Sequence, residues 1–63
     1  MTLGEKIKEL RKEKDISQYT LSTETKISQS SIARWELNKS EPRASEIKIL
    51  CKYFNISADE LLV

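Results

Sequence analysis

Residues 17–37, SQYTLSTETKISQSSIARWEL, predict two short helices that flank a three-residue turn. Serine caps helices well because its hydroxyl accepts a hydrogen bond from a free N–H of the first turn. Ser17 therefore begins one helix, at about 18–24, and Ser28 begins the next, at about 29–37. The residues expected to be buried around this pair are Leu21, Ile27, Ile32 and Trp35. Two short helices joined by such a turn have the geometry of a helix-turn-helix.

Three further helices are predicted outside this pair, because apolar residues recur there at helical spacing. Thr2 and Glu5 form a capping-box pattern before a helix at about 3–14, and Ser57 and Glu60 form another before a helix at about 58–62. The polar run NKSEP, 38–42, predicts a loop. A fourth helix follows at about 44–54, with Asn55 ending it in a left-handed conformation. The apolar stripes of the two long helices are Leu3, Ile7 and Leu10, and Ile47, Leu50, Cys51 and Phe54. The chain is thus predicted to be one all-α, five-helix domain over 1–63.

Composition narrows the function classes. The net charge is +1, so a strongly basic surface is not what would draw this chain to nucleic acid. Local distribution of charge matters more, since residues 17–43 hold four bases against three acids. If one of those acids is paired inside the fold, the surface of this stretch is modestly positive. The single cysteine permits no internal disulfide and favours a reducing compartment. With no signal peptide and no membrane-length apolar run in view, we expect a cytoplasmic protein.

Enzymatic function is not expected. The sequence has no histidine, which is the commonest general base and metal ligand. It also lacks a metal-ligand cluster, a glycine-rich phosphate loop and an activated nucleophile. We therefore expect no catalytic residues, no metal and no cofactor.

A helix-turn-helix suggests DNA as the ligand, because its second helix places N-terminal residues in the major groove, where base edges differ. The predicted base-contacting residues are Gln29, Ser30, Ser31 and Arg34. The first helix of the pair points its free N–H groups at a phosphate. The predicted phosphate-contacting residues are Gln18 and Tyr19 there, and Lys39, Ser40 and Arg43 around the following loop.

Most of the chain, from about Leu3 to Leu62, resembles the Cro/repressor-type (XRE) helix-turn-helix family. The most specific elements are LRKEK-x-ISQ, KISQSSIARWE, NKSEP and the closing F-x-I-S-x-D-E-L-L. The resemblance implies a compact lambda-repressor-like domain that binds a DNA operator. It implies phosphate contacts at Gln18, Asn38, Lys39, Ser40 and Arg43, and base contacts at Gln29, Ser30 and Arg34. It also implies an internal ion pair between Arg11 and Glu36.

The sequence departs from the family where glycine is common, at Asp15, Lys26 and Asn38. Asp and Asn tolerate left-handed backbone, whereas Lys26 should be strained by roughly 1 kcal/mol. Arg43 replaces the usual serine cap before the fourth helix, which weakens the start of that helix and leaves Arg43 available to DNA.

The favoured function is a sequence-specific transcriptional regulator, most simply a repressor. The family resemblance further implies a homodimer, formed through the last helix, on a near-palindromic double-stranded operator. The apolar residues outside the core stripes either form that interface or simply cover the edge of the core, and they are Ile49, Tyr53, Leu62 and Val63. The alternative is a protein-interaction module that uses the same fold to hold a partner protein, which the low net charge favours. The chain is either a whole protein or the DNA-binding part of a longer one.

Overall fold

Five α-helices and no strand are found in residues 1–62, which are the residues that this computed structural model describes. The helices are α1 (Leu3–Glu13), α2 (Gln18–Thr25), α3 (Gln29–Glu36), α4 (Ala44–Phe54) and α5 (Ala58–Leu62). The predicted all-α fold is confirmed. The sequence placed the ends of α1, α2 and α3 one residue away, at Lys14, Glu24 and Leu37. Within the described residues, no helix combines the length and the apolar character that crossing a membrane requires.

Hydroxyl caps begin four of the five helices, as the sequence predicted. The capping residues are Thr2, Ser17, Ser28 and Ser57, and each oxygen accepts a hydrogen bond from an N–H of the first turn. The exception is α4, where Arg43 has no side-chain oxygen to offer. Instead, the Arg43 backbone N–H donates to Glu46 Oε1 over 2.8 Å. That carboxylate fixes the chain direction into α4 without the usual cap.

Left-handed residues end four helices. They are Asp15 (φ 57°), Lys26 (φ 63°), Asn38 (φ 62°) and Asn55 (φ 56°). After α1, the N–H of Ile16 donates back to the Arg11 carbonyl over 3.2 Å, which is the long bond of a Schellman motif. The same bond after α3 joins the Lys39 N–H to the Arg34 carbonyl over 2.9 Å. Aspartate and asparagine adopt this backbone readily, whereas lysine does so at a cost.

Replacing Lys26 by glycine should therefore stabilise the protein. The left-handed penalty of about 1–2 kcal/mol disappears, while the flexible glycine costs about 0.5–1 kcal/mol of unfolded-state entropy. We expect Lys26→Gly to raise the free energy of unfolding by about 0.5 kcal/mol, measured by urea denaturation followed by circular dichroism. The matched control is Lys8→Gly in the middle of α1, which should lower it by about 1 kcal/mol. Equal losses from both substitutions would contradict the strain at Lys26.

All five helices contribute buried residues to the core. Its buried members are Ile7, Leu10, Leu21, Ile27, Ile32, Trp35, Leu50 and Leu61. This confirms the expected burial of the α2–α3 residues. The α4 stripe also faces the core: Leu50 is buried, and Ile47, Cys51 and Phe54 are half-buried and pack against the core.

Tyr53 fits the expectation that an apolar residue outside the α4 stripe covers the edge of the core. Its ring stands edge-on to Phe54 with 5.1 Å between ring centroids, and it packs against the core. The phenol O–H donates to Glu24 at the end of α2, and this hydrogen bond raises the pKa of Tyr53. The α2–α4 contact therefore extends the core beyond the predicted stripe.

Gly4 lies where the first turn of α1 meets the end of α3. A Cβ on this residue would stand 1.8 Å from the Trp35 carbonyl oxygen and 2.9 Å from Asn38 Oδ1. No side chain fits against that backbone oxygen. Gly4 therefore sets how closely α1 approaches α3.

Candidate nucleic-acid interface

The turn between α2 and α3 is held by side chains of α2. The Ser22 hydroxyl donates to the Ile27 carbonyl over 2.6 Å, and the Ile27 N–H donates to Thr25 Oγ1 over 3.3 Å. Ile27 itself is 6% exposed and anchors the turn in the core. These bonds fix the angle at which α3 leaves α2.

A buried ion pair ties α1 to α3. The Arg11 guanidinium grips Glu36 with two hydrogen bonds, Nε to Oε2 over 2.9 Å and Nη2 to Oε1 over 3.0 Å. The side chains are 13% and 4% exposed, respectively. Gln18 at the start of α2 donates its Nε2 to the same Glu36 Oε1 over 3.0 Å. Glu36 thus links α3 to α1 and α2. It is the acid of residues 17–43 whose charge is paired inside the fold.

The titration of Glu36 reflects these bonds. Burial by itself raises the pKa of this carboxyl, but the hydrogen bonds from Arg11 and Gln18 oppose it and the net pKa lies below the ordinary value. The pKa of Arg11 is raised, chiefly by its hydrogen bond to Glu36. Glu36 therefore remains ionised and paired with Arg11 at neutral pH. Its charge lies on the buried side of α3, away from the solvent-exposed side.

The opposite side of α3 is open to solvent. Gln29, Ser30 and Arg34 are exposed there, and Ser31 is half-exposed. We call these four residues the reading face. The Ser28 hydroxyl accepts from the Ser31 N–H over 3.2 Å and donates to the Ser31 hydroxyl over 2.8 Å. The Ser31 oxygen therefore already accepts one hydrogen bond, and its own hydrogen can be donated to an acceptor outside the helix.

A surface recess of about 310 Å³ joins the reading face to the loop before α4. Ser31 and Arg34 line one side, and Ser40 and Arg43 line the other. Predicted base-contacting and phosphate-contacting residues thus meet in one place. Among residues 1–62, Arg34, Lys39 and Arg43 take part in no ion pair.

A second recess, of about 320 Å³, lies between the start of α1 and the loop after α3. Asn38, Lys39 and Ser40 line it together with the first residues of α1. The hydroxyl of Thr2 donates to Asn38 Oδ1 over 2.7 Å. This contact could not be predicted from the sequence, because the two residues are 36 positions apart along the chain.

Gln18 and Tyr19 at the start of α2 line neither recess. Tyr19 is 65% exposed. Gln18 is half-buried and one amide hydrogen is engaged by Glu36, which leaves its second amide hydrogen and the helix N–H groups for an anion. From the sequence, Glu41 is only one of the acids of residues 17–43, with no predicted place in the interface. It lines both recesses beside the cations.

No group of three or more cysteine, aspartate or glutamate side chains is placed to hold a metal ion in residues 1–62. In the first recess, Arg34 and Arg43 form no ion pair within the described residues and lie beside two acids, Glu41 and Glu46, so the positive charge there is local to each guanidinium. Such a surface suits a phosphate backbone beside base edges.

Comparison with known proteins agrees with this geometry. A helix-turn-helix family model matches residues 7–61. The HTH-type transcriptional activator BcrR of Enterococcus faecalis is 34% identical to this chain over 62 residues, which are 98% of the chain and 30% of that protein. The chain thus spans less than a third of the length of this relative. No solved structure matches the chain significantly. The chain belongs to the XRE-type helix-turn-helix family.

Proposed function

We propose that this chain recognises a specific double-stranded DNA sequence by inserting the N-terminal half of α3 into the major groove. Gln29, Ser30, Ser31 and Arg34 are the proposed base contacts. The supporting observation is the division of α3 into an exposed reading face and a buried face that carries Ile32, Trp35 and Glu36. Gln and Arg side chains can bond base edges bidentately, which is how the major groove is discriminated.

The proposed phosphate contacts flank that helix on both sides. Gln18 and Tyr19 would meet one strand at the start of α2, where free N–H groups favour an anion. Asn38, Lys39, Ser40 and Arg43 would meet the backbone beside the end of α3, and all four are exposed. With a net charge of +1, affinity comes from these few placed contacts.

Two substitutions should separate base reading from backbone binding. Arg34→Ala should cost about 1–3 kcal/mol on the preferred site and relax the preference at one base pair. Lys39→Ala should weaken all sequences alike and reduce the salt slope of the binding constant by about one. Fluorescence anisotropy with the preferred duplex and with single-base variants measures both. A uniform loss from Arg34→Ala would assign that residue to the backbone.

The proposed binding unit is a homodimer on a near-palindromic operator. One copy measures 25 × 24 × 21 Å, which is shorter than the spacing of about 34 Å between successive major-groove faces. Reading two half-sites therefore needs two copies. Leu62 at the end of α5 is 55% exposed and Ile49 on α4 is 40% exposed, which supports apolar contact there. Val63, also expected in this surface, lies outside the described residues.

The proposed outcome of binding is repression, in which the bound dimer covers a promoter. Activation is the second candidate, favoured by the name of the Enterococcus faecalis relative, a transcriptional activator. A reporter gene with the preferred site placed over the promoter, or upstream of it, separates the two. Repression predicts lower expression from the first arrangement only, and activation predicts higher expression from the second.

Selection from a random duplex library with the purified chain tests the proposal itself. We expect one enriched site, two-fold symmetric, with an affinity that falls steeply as salt rises. An enriched site without symmetry would contradict the dimer. No binding at low salt would contradict DNA recognition and favour the protein-interaction module.

A further inference from the structure

The Thr2 hydroxyl makes two different hydrogen bonds. Its oxygen accepts from the Glu5 N–H over 3.1 Å, which caps α1. Its proton goes to Asn38 Oδ1 over 2.7 Å, across the second recess. One hydroxyl therefore serves both the start of α1 and the loop that leaves α3.

The backbone of that loop is also fixed, but by separate bonds. The N–H of Asn38 donates to the Trp35 carbonyl over 3.0 Å and the N–H of Lys39 donates to the Arg34 carbonyl over 2.9 Å. The absent side chain of Gly4 lets α1 lie directly against this segment. These contacts hold the main chain of the loop, whereas Thr2 holds a side chain.

The Asn38 amide is thereby given a direction. With its oxygen bonded to Thr2, its Nδ2 amino group is bonded to no acceptor in residues 1–62. An amide that presents N–H donors to the outside suits a phosphate oxygen. Lys39 and Ser40 line the same recess and present further donors beside it.

We propose that Thr2 is a positioning residue for DNA binding, which acts by orienting the Asn38 amide so that its amino group faces a DNA phosphate. The inference rests on the proposed function, since it assigns Asn38 to the DNA backbone. The contact carries no base preference, so Thr2 affects affinity for every sequence alike.

A double-mutant cycle tests this. The variants are Thr2→Ala, Asn38→Gly, and the two combined, where glycine removes the amide but keeps the left-handed backbone at position 38. Thr2→Ser retains both bonds and is the rescue variant. Ser57→Ala is the matched control, because it removes the equivalent cap of α5 with no partner in the loop. Dissociation constants are measured by anisotropy on one half-site of the duplex selected by the unmodified chain, so that the proposed dimer contact of α5 does not enter the comparison, at a temperature where circular dichroism shows each variant folded.

The expected loss for Thr2→Ala is about three- to tenfold in affinity, the size of one hydrogen bond, on the preferred and on unrelated duplexes. Thr2→Ser and Ser57→Ala should stay within about twofold of the unmodified chain, since neither loses a bond to the loop. In the Asn38→Gly background, Thr2→Ala should have no further effect.

Two results would overturn the inference. One is a Thr2→Ala loss that persists in full beside Asn38→Gly, and the other is an equal loss for Ser57→Ala, which would reduce the effect to helix capping. Either leaves DNA recognition by α3 standing. Failure of the unmodified chain to bind any duplex would instead overturn the proposed function, and this inference with it.

Discussion

Arg11→Ala should remove most of the free energy of unfolding at 25 °C. The substitution strands the Glu36 carboxylate, which is 4% exposed, without its bidentate partner. Removing one member of a buried ion pair costs about 3–5 kcal/mol. A chain of 63 residues has only about 3–9 kcal/mol in total at the usual stability per residue. Far-ultraviolet circular dichroism with urea denaturation measures the loss.

The control for this prediction replaces both charges with apolar side chains of similar length. Arg11→Met combined with Glu36→Leu leaves no stranded charge, and such exchanges are often neutral in stability. We therefore expect the double variant to keep the free energy of unfolding that Arg11→Ala loses. Equal destabilisation of the two would mean that the pair matters through its shape and packing.

Acid should act on the same pair. Because the pKa of Glu36 is lowered by folding, its contribution to stability is complete above the ordinary glutamate value near 4.5 and is lost as pH falls through the lower, folded value. The pKa values of Glu5 and Glu60 are also lowered, by the hydrogen bonds of their capping boxes, and add to the acid loss. Glu36→Gln should be less stable at pH 7 and should show a shallower loss below pH 4.5.

Gly4→Ala should be the most damaging addition of a single methyl group. The new Cβ would stand 1.8 Å from the Trp35 carbonyl oxygen, a backbone atom that cannot rotate aside. Overfilling a packed site costs about 1–3 kcal/mol, and we expect the upper end here. At an unobstructed helix position the same change would stabilise by up to about 1 kcal/mol. The sign of the change in the urea midpoint thus decides whether α1 and α3 meet as closely as described.

Lys8→Ala is the matched control, since Lys8 is an exposed residue of the same helix. It should move the free energy of unfolding by no more than about 0.5 kcal/mol. Loss of stability in both variants would assign the effect to α1 itself.

The parts of the fold that could be predicted are those determined by residues that are neighbours along the chain. Ser17 and Ser28 begin α2 and α3 because a hydroxyl cap needs only the next three residues. Asn38 and Asn55 end their helices because asparagine tolerates left-handed backbone, a property of the residue alone. The predicted ends of α1 and α3 differed by one residue because Lys14 and Leu37 are the capping residues, and a capping residue is half inside the helix.

The parts that were not predictable depend on distant partners. Nothing beside Gly4 indicates that the Trp35 carbonyl will lie against it. Gln18 has the same sequence context whether its amide meets a phosphate or Glu36, and only the packing of α2 on α3 brings them within 3.0 Å. The Arg11–Glu36 ion pair was predicted from the family resemblance alone, since the spacing of the two residues along the chain does not imply it.

Trp35, which packs beneath the reading face and is 3% exposed, gives the protein an internal spectroscopic probe. It is the one tryptophan of the chain, so the indole emission has a single source. Solvent reaches that indole only when α3 comes away from the core, and the emission then moves to longer wavelength. Emission wavelength therefore follows unfolding, while the anisotropy of labelled DNA follows binding, and both can be recorded in one cuvette.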